Sequence, residues 1–154
     1  PQLTRLRLHT RTPVVVPERI DNGLLQLLKH TRLKTIMVLH CNHANELDSN
    51  FDHAMAHLKE ASVTLLNQAV LLRGVNDSLD AQVELSERLF DAGLLPYYLH
   101  LLDKVAGAQE FAITDAEAFE LYRQMAARLP GFLLPRLTRE VPGAPAKQVL
   151  APVL

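Results

Sequence analysis

Cysteine is nearly missing from this chain of 154 residues, and Cys41 is the single one. One thiol excludes an internal disulfide framework, and it excludes a multi-cysteine metal or iron–sulfur site built within the chain. Both exclusions fit a reduced, cytoplasmic compartment. A strong charge of either sign is also lacking. The net charge of −1 gives no general attraction to nucleic acid or to an acidic membrane surface. No apolar run reaches roughly 18 residues, the length a transmembrane helix needs. The opening PQLTRLRLHT has no apolar centre and so is not a signal peptide. It also has no initiator Met and begins on a strand-like pattern, as a fragment of a longer protein would. The phosphate-binding and nucleophile signatures GxGxxG, Walker A and GxSxG are all absent.

What is present is ordinary for a globular domain. Apolar residues make up 48% and charged residues 21%, enough for one domain with a real core. Short apolar runs alternate with longer amphipathic ones. Strands are expected over 3–10, 35–40, 65–72, 96–102 and 132–138. Helices are expected over 21–30, 48–62, 79–92 and 115–129. In the second helix Phe51, Ala54, Met55 and Leu58 share one face at helical spacing. Ser78 is placed to cap the third, with Gly93 just past its end, and Thr114 with Glu117 has the spacing of a capping box on the fourth. A β-α-β order repeated this way argues for about five parallel strands alternating with four helices. The strand cores TIMVL, AVLL and YYLHLL are nearly continuous apolar runs, as when both sheet faces are covered. The order fits an open doubly wound sheet or an arc of a (β/α) barrel.

Either architecture binds ligands at the carboxyl ends of its strands. Those ends are polar here. The second runs into HCNHANE, starting at His40. Gln68 interrupts the third, which ends in Arg73-Gly74. The fourth carries His100 and Asp103, and the fifth ends in Arg139-Glu140 before the turn VPGAPAK that aims Lys147. Each has a structural reading too. A lone cysteine and two loop histidines three apart do not make a metal set, so no metal ligand is assigned. His53 and His57, four apart on a helix, read as a solvated face. Gln68 could be a satisfied buried amide, Arg73-Gly74 a strand-exit turn, and Asp103 a partner of Lys104.

The segments HCNHANELD, LLNQAVLLRGVND, PYYLHLLDKVAGAQEF and EVPGAPAK, in this order, resemble the lysine 2,3-aminomutase family over nearly the whole chain. The third segment is most similar to the branch that makes β-lysine for elongation factor P. The resemblance implies the C-terminal half of a partial TIM-like (β/α) barrel over 1–140, with a turn and tail over 141–154. It implies a radical enzyme that uses S-adenosylmethionine, pyridoxal 5′-phosphate (PLP) and a 4Fe–4S cluster. On this resemblance Lys147 forms the PLP Schiff base, His40 and Gln68 contact S-adenosylmethionine, and Asp103 and Glu140 hold the substrate's amine. Glu140 stands where the family has an aspartate, and Ala144-Pro145-Ala146 replaces its run of glycines. The family's CxxxCxxC cluster loop is not in this sequence. The resemblance therefore implies a partner in the N-terminal half of its own barrel, with lysine or elongation factor P as substrate. The chain alone is expected to be inactive and to associate through exposed strand edges. Two other readings remain at this point: a non-enzymatic α/β binding module, and an unrelated Schiff-base enzyme using Lys104.

Overall fold

The computed structural model describes residues 2–103 and 107–151. Six strands form one sheet in the order of the sequence, β1 (Arg5–Thr10), β2 (Lys34–His40), β3 (Thr64–Leu71), β4 (Leu95–Leu101), β5 (Arg136–Arg139) and β6 (Gln148–Val149). The first five are parallel, and β6 returns antiparallel to β5. The helices are α1 (Thr12–Val15), α2 (Asn22–His30), α3 (Ser49–Glu60), α4 (Leu79–Asp91) and α5 (Asp115–Arg128). A doubly wound sheet reverses its strand order at a switch point. This one never does, so of the two expected architectures the barrel arc is the one observed.

The helices cover one face. Leu28 of α2, Phe51, Met55 and Leu58 of α3, Leu85 and Leu89 of α4, and Met125 of α5 join one cluster. The sheet contributes Met37, Leu39, Leu65, Ala69, Leu71, Leu99, Leu101 and Leu137 to it. Burial along β3 alternates strictly from Leu65 to Leu71. Leu66, Gln68 and Val70 therefore point to the opposite, concave face, which no helix covers.

Local chemistry sets the helix ends. Asp21, Asp48, Ser78 and Thr114 each accept a backbone N–H from the first turn, and Thr114 with Glu117 closes the expected capping box. The fifth strand departs from expectation. Residues 131–133 form a 3-10 turn instead of opening a strand, because Pro130 and Pro135 remove two backbone donors and bias their predecessors away from a regular ladder. β5 starts at Arg136. The one-turn helix α1 and the strand β6 had no periodic signal, being too short to show one. Among the described residues, no helix is long and apolar enough to cross a membrane.

Candidate functional site

Strand register gathers the polar residues of the concave face into layers. His40, Gln68 and Tyr98 are paired neighbours across β2, β3 and β4. One step toward the carboxyl ends, Val70, His100 and Thr138 are paired across β3, β4 and β5. The strands bring their polar ends to one side because a parallel sheet points every carboxyl end the same way.

Lys147 reaches this face by a specific route. Ala144 N donates to Val141 O at 3.0 Å, with Pro142 and Gly143 at the two central positions. Gly143 has φ +80°, the left-handed conformation that the second central residue of such a turn requires. The chain then pairs back on β5, Thr138 opposite Val149 and Arg139 opposite Gln148. Leu150 N donates to Leu137 O at 2.8 Å. Lys147 is thus held between a rigid turn and a returning strand.

Its ammonium sits in a cradle. Nζ is ion-paired with Glu140, donates toward His100 Nε2 at 3.5 Å and lies 5.7 Å from the centre of the Tyr98 ring. An ammonium only donates, so His100 Nε2 accepts. The ring hydrogen is therefore on Nδ1, which lies 3.0 Å from Thr138 Oγ1 and donates to it. His100 is 8% exposed. Burial, and after it the Lys147 charge, push its pKa down to about 4, so the ring is neutral near pH 7. Burial first, then the Arg7 and Lys147 charges, lower the pKa of His9 on β1. Glu140 is held below the usual carboxylate range by its bond to Lys147.

His40 stands apart from its neighbours. Its Nε2 is buried and has no hydrogen-bond partner. Burial first, then Arg11, lower its pKa, with Glu46 opposing. A partnerless buried ring nitrogen is costly unless a ligand meets it. The segment after His40 is fixed by amides that sequence reasoning passed over. Asn67 grips the backbone of Cys41 on both sides, accepting from its N–H and donating to its C=O, each at 3.0 Å. Asn76 donates to Asn42 O and Val70 O at 2.8 and 2.9 Å and accepts from Leu72 N at 2.8 Å. Gln82 donates to Asn76 O at 2.7 Å. Three amides within one motif-rich stretch could have signalled this network.

Other polar residues of the rim serve structure. Glu46 accepts from the N–H groups of Asn42 and His43 and pairs with Arg11. His43 Nδ1 accepts from Asn45 N. Cys41 is fully buried, and burial, with Glu46 adding, pushes its thiol up to about 12, so it is no thiolate ligand near neutral pH. Among the described residues no three His, Cys, Asp or Glu side chains are grouped to hold a metal. Arg73 bonds Ala112 O and Glu117, and Arg139 pairs with Asp115. Gln68 lies beside His40 in the register of β2 and β3. Asp103 is exposed, close enough for its charge to act on His100. Lys104 lies outside the described residues.

The fold is that of a (β/α)-barrel arc, and a solved structure shares it. A radical SAM methyltransferase from Sphaerobacter thermophilus superposes with a TM-score of 0.61 over 86% of this chain and 40% of its own, at 16% identity. No protein-family model matches the chain. In sequence, it is a relative of the lysine 2,3-aminomutases. Proteins of that name from Haemophilus influenzae, Escherichia coli and Clostridium subterminale are 53%, 48% and 32% identical to it over 98%, 97% and 99% of its length. The chain spans 45%, 44% and 36% of those relatives, less than half of each.

Proposed function

We propose that this chain is the lysine-bearing half of a lysine 2,3-aminomutase, an isomerase that moves an amino group from C2 to C3 of lysine. In this reading Lys147 is the covalent attachment point of PLP. His40 and Gln68 contact S-adenosylmethionine, and Asp103 and Glu140 receive the substrate's ammonium. One observation carries the reading: a lysine amine held on the concave face beside a neutral imidazole, on the same face as a buried His40 Nε2 that lacks a partner.

The residues fit two of the three groups. A side-chain amine brought over an open sheet face suits an aldehyde cofactor, and the vacant acceptor or donor of His40 suits a polar edge of the nucleotide. The 4Fe–4S cluster does not fit here, since the only thiol is buried and pushed up to about 12. Its ligands belong to the CxxxCxxC loop expected on the other half. When bound, S-adenosylmethionine, the cluster and PLP supply radical hydrogen abstraction and amino-group migration. The residues of this chain bind and orient. His100 stays neutral and accepts a hydrogen bond from the Lys147 ammonium. Glu140 offers a carboxylate to a primary ammonium. The turn at Gly143 and the return of β6 keep Lys147 from swinging off the face. The 154 residues alone are inactive in this reading, and the PYYLHLLDKVAGA wording favours elongation factor P, in the cytoplasm, as the acceptor of the product.

The test is borohydride trapping of PLP on the full-length protein, followed by peptide mapping. Label on Lys147, abolished in Lys147→Ala, is the expected result. Label spread over surface lysines would remove the reading. Joining the chain to an N-terminal half with the cysteine loop should restore turnover of lysine, which the chain alone lacks.

A further inference from the structure

Three features surround the Lys147 ammonium: the Glu140 carboxylate, the accepting Nε2 of His100 and the face of Tyr98. The cradle is open, with the Lys147 and Glu140 side chains 33% and 56% exposed, and a carboxylate, a neutral acceptor and an aromatic face together offset the partial loss of water around a primary ammonium. The His100 acceptor is built in, since its Nδ1–H is committed to Thr138 and Thr138 is fully buried. The remaining titratable groups acting on His100 are Asp103 and His40, and none of the described contacts gives Glu140 another cation.

We infer that the Glu140–His100–Tyr98 cradle is a primary-ammonium site whose resident occupant is the chain's own Lys147, so that an external ammonium enters only after the Lys147 amine has been consumed by an aldehyde. The inference rests on the proposed function for the identity of that aldehyde, PLP, and adds an order of events to it. The Lys147 ammonium releases one proton to solvent, the free amine attacks the aldehyde carbon, and the C=N bond forms as one water leaves. The nitrogen then keeps at most one N–H in place of three, so its hold on Glu140 is weakened and the carboxylate can accept an external ammonium. Cofactor loading and substrate-amine binding are thereby coupled through one carboxylate, and an enzyme without cofactor does not hold its substrate by this group.

The experiment avoids the cofactor. Binding of n-pentylammonium is measured by calorimetry on the full-length protein with no PLP added, in wild type, Lys147→Met and the Lys147→Met/Glu140→Gln pair. Circular dichroism checks that each variant is folded. Lys147→Met should bind at least 10-fold tighter than wild type, and the added Glu140→Gln should abolish that gain. Lys29→Met, which removes an equal charge on α2, should change affinity less than 2-fold. Equal affinity in wild type and Lys147→Met overturns the inference, as does a gain that survives Glu140→Gln or is matched by Lys29→Met. Borohydride trapping tests the aldehyde separately. A vacated cradle that gains affinity, in a protein whose Lys147 is never trapped, would keep the occlusion and remove the cofactor assignment.

Discussion

His100 shows how one buried side chain can make stability depend on pH. Its folded pKa is about 4, against an ordinary 6.5. The unfolded chain therefore binds the proton first, and the contribution of a neutral His100 is fully present above about pH 6.5 and lost as pH falls toward 4. His40 and His9 are shifted in the same direction, each mainly by burial, and add to the trend. The depressed carboxylates Glu117, Asp115, Glu120 and Glu140 lose their share only lower, below their ordinary range. Urea unfolding at pH 7.0, 5.5 and 4.5 should thus show falling stability, and His100→Asn, which keeps a donor toward Thr138 without titrating there, should flatten the slope between pH 7.0 and 5.5. A variant as steep as wild type would assign the slope to other groups. At this scale the sequence was informative where a motif named a residue. Lys147 and Glu140 come together, and so do His40 and Gln68. Tyr98 and Thr138 carried no signal, because their importance arises from strand register between segments far apart in the chain.

At the scale of the element, the segment after β2 owes its shape to side chains of its neighbours. The backbone from Cys41 to Asn42 has no ladder partner of its own, so Asn67 and Asn76 supply one. Asn76 is fully buried, and its removal would leave two carbonyls and one N–H without partners. Asn76→Ala should cost on the order of 3 kcal/mol in unfolding free energy. Asn76→Asp should cost more, since a carboxylate would then face the carbonyls of Asn42 and Val70. A loss under about 0.5 kcal/mol for both, within the range of ordinary surface changes, would mean that water replaces the amide without penalty. Helix starts were legible because a cap is a local hydrogen bond between residues three apart, as at Ser78 and Thr114. Strand limits were less so. Phe132 to Leu134 is as apolar as a strand, yet two prolines turn it into a 3-10 bend. β6 is two residues long and exists only because β5 offers an edge, a dependence that no local pattern encodes.

Across the whole molecule, the alternation of strands and helices revealed the class of fold, but only the strand order distinguished an arc from a doubly wound sheet, since both satisfy the same hydrophobic pattern. That arc has two unlike edges. The β5 side is capped by the short antiparallel β6, a common way to blunt an edge. Among the described residues the β1 side pairs only with β2, which leaves one side of Arg5–Thr10 open there. Arg5, Arg7 and His9 stand exposed along it, and Arg7 and His9 register with Ile36 and Val38 of the concave face. Two copies meeting at β1 would satisfy backbone groups while bringing Arg5 and Arg7 of each copy together. Like charges on exposed side chains are screened within about 8 Å at physiological salt. The 154-residue chain by itself should therefore associate in a concentration-dependent way, more strongly at 0.5 M than at 0.02 M salt. Arg5→Ser/Arg7→Ser should remove most of the salt dependence and associate already at low salt. Sedimentation at both salts reads this directly. A single monomeric mass at every concentration and salt would mean that the edge is satisfied within one copy, and the exposed β1 would then have to be closed by its own chain.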